Sequence, residues 1–202
     1  MHNKQKKNKE TTTLTPSLKI GVFGPMGVGK TSIINRYCDG TFDKYCASTK
    51  APSMSETIRT IHNIEYEIKI FENPGGQDHF TKHLEVEYFQ HFNCLLIVFD
   101  VKEKKSFESM KNLYGTIKEH IPVPDKNHSK PSVVTIVVGN KNEENSKKER
   151  EVSFDEANEF ASLIGFKYVE VNCVEEHTVE NCLDDIILKT VKSNKKGKCS
   201  IF

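Results

Sequence analysis

Two hundred and two residues, 36% of them hydrophobic, are enough for one α/β domain with tails and for a core that needs no metal or disulfide staple. Twenty-nine basic residues against 28 acidic ones leave a net charge of +1, so no global field recommends a nucleic-acid partner. Six cysteines without a C-x-x-C pair read as reduced thiols, and the longest apolar run, Cys94 to Phe99, is too short to cross a bilayer.

Residues 1–17 are rich in Lys, Asn, Gln and Thr and are expected to form a disordered extension. The pattern changes at Leu18. Leu18 to Gly24 alternates as a strand does, a glycine-rich turn follows, and Thr31 to Cys38 reads as a helix. Ser55 to Ile61 and Tyr66 to Phe71 are two alternating runs joined by His62-Asn63-Ile64-Glu65, the pattern of a β-hairpin. An amphipathic segment from His79 to Phe92 leads into Cys94 to Asp100, a continuous apolar run of the kind buried on both faces.

Ser106 to His120 is a second amphipathic segment, and Val133 to Gly139 a second buried run. A charged loop follows, after which Ser153 and Glu156 form a capping box that opens a helix over Phe154 to Ile164. Lys167 to Asn172 is a short last strand, Thr178 to Val191 a last helix, and Lys192 to Phe202 a basic tail. Strands alternating with helices imply an α/β domain over residues 18–191, with a six-stranded, mostly parallel sheet covered by helices on both faces. The hairpin supplies its one antiparallel edge strand.

Gly24-Pro-Met-Gly-Val-Gly29-Lys30-Thr31 matches G-x-x-x-x-G-K-[ST] in full, between an expected strand and an expected helix. Glycines at Gly24, Gly27 and Gly29 let backbone N–H groups, Val28's among them, curl around a β-phosphate, and the helix N-terminus through Thr31 and Ser32 adds its positive dipole end. Lys30 is placed to reach the β- and γ-oxygens, and the Thr31 hydroxyl to bind Mg²⁺. The motif alone selects neither base nor reaction, since P-loop kinases and ATPases share it.

Over about residues 18–190 the chain resembles the Ras superfamily of small GTPases. Thr49 lies nineteen residues after Lys30, the spacing of the family's first-switch threonine, which implies a second hydroxyl on Mg²⁺ and an amide on the γ-phosphate. Glu72-Asn-Pro-Gly75-Gly76-Gln77-Asp78 resembles the family's D-x-x-G-Q-E but departs from it. Counting from Thr49 sets Glu72 at the acidic position and Gly75 as the γ-phosphate sensor, leaving Gln77 one residue late for orienting the attacking water. Anchoring on Gln77-Asp78 makes Gly76 the sensor and Asn73 the acidic position. The first register is preferred because Ile68 to Phe71 then continues the strand without a gap. Asn140-Lys141-Asn142-Glu143 resembles the family's N-K-x-D, which implies that Asn140, Lys141 and Glu143 hold guanine, with Glu143 one methylene longer than Asp. The backbone near Cys173 stands where the family's last base-contacting motif falls.

The final residues Cys199-Ser-Ile-Phe202 read as C-a-a-X, and the terminal Phe favours a geranylgeranyl group on Cys199. Lys192, Lys195, Lys196 and Lys198 supply the polybasic second signal that stable anchoring needs. This ending resembles the Ras and Rho branches more than the Rab branch, where paired cysteines are usual.

The resemblance thus implies a monomeric switch on the cytoplasmic face of a membrane, the plasma membrane being the one expected. It binds GTP and GDP with Mg²⁺, hydrolyses GTP, and meets an exchange factor, an activating protein, effectors and a prenyltransferase. Met26, at a loop position often occupied by Gly, and the offset Gln77 imply slow hydrolysis and a poor response to activating proteins. The alternative is a binding module of the same fold that holds nucleotide but barely hydrolyses it. A P-loop kinase or ATPase would need a second substrate site, an Arg-rich lid or an extra helical domain, and the sequence shows none of these.

Overall fold

The computed structural model describes residues 15–43, 45–75, 89, 91–121, 133–141 and 149–197, without the side chains of residues 141, 176 and 194–197. Most of the extension before Leu18 and nearly all of the helix expected from His79 to Phe92 lie outside these residues.

Six strands form one sheet: β1 (Ser17–Phe23), β2 (Ser53–Ile61), β3 (Ile64–Glu72), β4 (Cys94–Asp100), β5 (Val134–Lys141) and β6 (Lys167–Asn172). Their spatial order is β2-β3-β1-β4-β5-β6, and every pairing is parallel except the β2–β3 hairpin at one edge. Four helices accompany it among the described residues: α1 (Lys30–Asp39), α2 (Lys104–Ile117), α3 (Phe154–Leu163) and α4 (Glu176–Gly197).

Strand β4 shows why the sheet is central. Cys94, Leu96 and Val98 point into one apolar cluster and Leu95, Ile97 and Phe99 into another, and all six are fully buried. On the first face, α1 supplies Ile33, Ile34 and Tyr37, and α4 supplies Val179, Cys182, Leu183, Ile186 and Ile187 at helical spacing. On the second, Phe107, Met110, Leu113 and Ile117 of α2 and the small Ala157 and Ala161 of α3 close the layer. Each large apolar side chain so buried contributes roughly 1.5–3 kcal/mol. Ser153 caps α3, its Oγ accepting from the Glu156 amide at 3.1 Å.

Besides shifts of two or three residues at the ends of β2 and α2, two elements differ from the sequence expectation. The hairpin turns on His62-Asn63 alone, both at positive φ (50° and 63°), so Ile64 and Glu65 belong to β3 and not to the connection. Paired positive φ values are the geometry of the two-residue turn that matches strand twist. The last helix continues from the expected stop at Val191 to Gly197, into the stretch read as a basic tail. Lysine is a good helix former, so the lysine-rich stretch read as a tail continues the helical backbone.

Candidate functional site

The carboxyl ends of β1, β3, β4, β5 and β6 border one cleft of about 190 Å³. Between β1 and α1 the chain makes a glycine-rich loop. The first bond inside α1 runs from the Ile33 amide to the Gly29 carbonyl at 3.0 Å, and no side chain caps the helix. The amides that open α1 therefore have no helical acceptor and present the positive end of the helix dipole to the cleft. Gly29 is required there on two counts. Its φ of 86° is left-handed, and a Cβ would stand 2.2 Å from Asn140 Nδ2.

Lys30 crosses beneath this loop, only 5% exposed, and Nζ donates to the carbonyls of Gly24 at 3.0 Å and Pro25 at 2.9 Å. Burial lowers its pKa from 10.5 to about 8, while the charge of Glu72 pulls the other way. The ammonium is thus held in a place where it is short of negative charge, the condition an incoming polyphosphate would relieve.

Three oxygens converge beside it. Thr31 Oγ1 donates to Glu72 Oε1 at 2.7 Å, Thr49 Oγ1 donates to the same oxygen at 3.1 Å, and the two hydroxyls lie 2.9 Å apart. Thr31 comes from α1, Thr49 from the α1–β2 connection and Glu72 from the end of β3, so three separate elements meet at this point. Among the described residues no cluster of three His, Cys, Asp or Glu side chains gathers anywhere. One carboxylate with two hydroxyls is a hard, all-oxygen donor set, which suits Mg²⁺ and not a thiolate-bound metal.

Gly75 follows β3 directly onto the loop. A Cβ there would stand 2.2 Å from the Met26 amide nitrogen and 2.4 Å from the Pro25 carbonyl carbon, so only glycine allows the two backbones to touch. Met26 itself lines the cleft and remains 63% exposed. On the other side, Asn140 Nδ2 donates to the Val28 carbonyl at 2.9 Å, and Asn140 Oδ1 accepts from the Cys173 thiol at 3.5 Å. Arg36 Nε in turn donates to the Cys173 carbonyl at 2.8 Å. Burial pushes the Cys173 thiol up to about 12, so it stays protonated and serves Asn140 as a donor.

The structure therefore brings Gly27, Val28, Gly29, Lys30, Thr31 and Ser32 to one cleft with Thr49, Gly75, Asn140 and Cys173. Gly24 lies behind the loop as an acceptor for Lys30. Lys141 ends β5, and its side chain is outside the description, as are Gln77, Glu143 and Cys199 entirely. The sequence reading counted Thr31 and Thr49 as the metal-holding pair and left out Glu72, although it set Glu72 at the acidic position. It also missed Arg36, Phe42 and Cys46. The last two line the cleft from the α1–β2 connection, Phe42 within the run from Arg36 to Tyr45 that resembles the family's helix end and first switch. No helix among the described residues is long and apolar enough to cross a membrane.

Comparison with known proteins gives a consistent picture. The family model described as "Ras family" matches residues 19–192. The chain is 28% identical to Ras-related protein RabC of Dictyostelium discoideum, an alignment covering 89% of this chain and 87% of that protein. It is 30% identical to Ras-related protein Rab-1C of the same organism (89% and 82% covered) and 29% identical to Ras-related protein Rab-8A of Gallus gallus (81% and 73%). These relatives bear the Rab name, whereas the Cys199-Ser-Ile-Phe202 ending resembles other branches.

Proposed function

Because the chain belongs to the Ras family and is a small GTPase, a GTP-binding switch, we propose that the cleft at the carboxyl edge of the sheet is where it holds GTP or GDP with Mg²⁺. The observation that carries this reading is the convergence of Lys30, the uncapped start of α1 and the Thr31–Thr49–Glu72 oxygens on one cleft. The loop amides receive the β-phosphate, and the Lys30 ammonium turns from the Gly24 and Pro25 carbonyls toward the β- and γ-oxygens. Thr31, Thr49 and Glu72 supply the oxygens for Mg²⁺, whose chemistry when bound is to neutralise charge on the phosphates.

Asn140 fixes the loop to the β6 exit by its bonds to Val28 and Cys173, and with Lys141 and Glu143 it forms the guanine pocket. The segments around Thr49 and Gly75 both touch the phosphate loop or its hydroxyl, so both are placed to change with the presence of a γ-phosphate. Gln77, one residue late in the second-switch motif, is the candidate for orienting the attacking water. Hydrolysis is slow and responds weakly to activating proteins, since the exposed Met26 thioether stands at the cleft mouth where an incoming arginine would have to pass. Single-turnover GTP hydrolysis tests this. Wild-type turnover is expected to be low and Met26→Gly to respond more strongly to an activating protein. Ordinary turnover with full stimulation of the wild type would overturn it.

The domain spans residues 18–191 and is anchored through a geranylgeranyl group on Cys199. Since α4 reaches Gly197, Cys199 comes two positions after the helix in the sequence, preceded by Lys192, Lys195, Lys196 and Lys198. An anchor of this kind holds the switch at the cytoplasmic face of a membrane, where an exchange factor, an activating protein and effectors meet it.

A further inference from the structure

Arg36 ties three chain segments together. It stands in the last turn of α1, six residues after Lys30 and so about 9 Å along the helix axis from the phosphate loop. Its Nε donates to the Cys173 carbonyl at 2.8 Å and its Nη1 to the Gly40 carbonyl at 2.7 Å, while Cζ lies 5.9 Å from the centre of the Phe42 ring. Phe42 belongs to the α1–β2 connection and Cys173 to the β6–α4 connection, and both line the cleft. Because one guanidinium reaches both, the two connections meet at the same end of the cleft, away from Lys30. We infer that Arg36 is a positioning residue for nucleoside retention: its guanidinium clamps the α1–β2 connection to the β6–α4 connection around the base end of the nucleotide. This rests on the reading of the cleft as the GTP and GDP site and deepens it by assigning what holds the base end closed.

A guanidinium suits this task and an ammonium does not. Its planar fork keeps Nε and Nη1 in fixed relation, so one rigid group sets two carbonyls from segments remote in sequence. Its flat face remains for the Phe42 ring. The Cys173 residue is held from other sides too. The Val174 amide donates to Asn172 Oδ1 at 3.1 Å, and the Cys173 thiol donates to Asn140 Oδ1 at 3.5 Å. Arg36 thus completes a chain of contacts from Phe42 through Cys173 to Asn140, which continues it to the Val28 carbonyl of the phosphate loop at 2.9 Å. Severing Arg36 loosens the base end without touching Lys30, Thr31 or Thr49. Arg36 also stands at the negative end of the α1 dipole, where any cation would serve. The two roles are separable by experiment.

Release of a fluorescent GDP is followed by stopped flow after a chase of excess GDP, first in Mg²⁺ and again with EDTA. Arg36→Met keeps apolar length beside Phe42 and loses both bonds, so release should quicken about tenfold or more, the worth of a hydrogen bond from a charged group. The same factor is expected in EDTA, because the phosphates and the cation are gripped at the other end and distant effects add. Arg36→Lys restores the charge at the helix end but not the fork, and should release GDP nearly as fast as Arg36→Met. Release at the wild-type rate in both variants, or in Arg36→Lys alone, would overturn the clamp and leave Arg36 a helix-end cation. An acceleration that vanishes in EDTA would overturn it as well, since it would trace to the phosphate end. Wild-type protein that takes up no fluorescent GDP would overturn the nucleotide site itself. Should Arg36→Met fail to fold, Arg36→Lys gives the same decision.

Discussion

Lys30 makes nucleotide binding depend on pH in a way that can be calculated. In the nucleotide-free protein burial lowers its pKa to about 8, whereas in the unfolded chain it returns to the ordinary 10.5. The buried ammonium is therefore penalised below about pH 8, by roughly 3 kcal/mol at 1.36 kcal/mol per unit. Folded-state stability rises between pH 8 and 10.5, where the unfolded chain binds the proton more tightly. A polyphosphate reverses the balance by favouring the charged form. If the complex restores the ordinary value, affinity for GDP should fall about fourfold from pH 7 to pH 8.5, with about 0.75 proton taken up per nucleotide at the higher pH. Isothermal titration calorimetry in two buffers of different ionisation enthalpy measures both quantities. Affinity flat across this interval, with no proton uptake, would show that Lys30 is fully charged before nucleotide arrives and would refute the reasoning.

Gly75→Ala places a methyl group 2.2 Å from the Met26 amide nitrogen, a backbone atom that cannot swing aside. At about 1–3 kcal/mol for such overpacking, affinity for a GTP analogue should fall about tenfold or more by fluorescence titration. Arg59 of β2 donates to Glu180 of α4 at 2.5 Å and lies 4.8 Å over the buried Tyr37 ring, which itself donates to Asp184 at 2.8 Å. Arg59→Ala should cost about 1–2 kcal/mol, seen in thermal unfolding as a Tm lower by about 2–4 °C per kcal/mol, with hydrolysis unchanged. Cys199→Ser should move the protein from the membrane to the soluble fraction on centrifugation of cells, because the lysines alone give one signal where two are needed.

Much of this architecture was legible in the sequence because it rests on local patterns. The run from Cys94 to Asp100 is apolar throughout since both faces of β4 are covered, and the structure gives it the expected limits. The phosphate loop was readable for a similar reason, its chemistry being carried by eight consecutive residues. Where the reading missed, the deciding interaction was remote or unusual. The hairpin turn uses His62 and Asn63, both at positive φ, without the glycine that normally advertises such a turn, so the connection was expected to be two residues too long. α4 runs past Val191 because the stretch read for its charge as a tail is also rich in a helix-forming residue, lysine. Arg36 and Cys173 are 137 residues apart, and no local signal links them. The choice of Glu72 over Asn73 at the acidic position was legible in the sequence, because Ile68 to Phe71 then continues the strand without a gap. In the fold it is Glu72 whose carboxylate meets both hydroxyls.

Mass-spectrometric identification of the nucleotide that co-purifies with the Mg²⁺-loaded protein tests the central claim most directly, with Lys30→Ala as the control. GDP or GTP at close to one per protein chain, absent from the variant, is the result expected. An adenine nucleotide, or wild-type protein that carries no nucleotide and takes up none when GDP is supplied, would contradict the account.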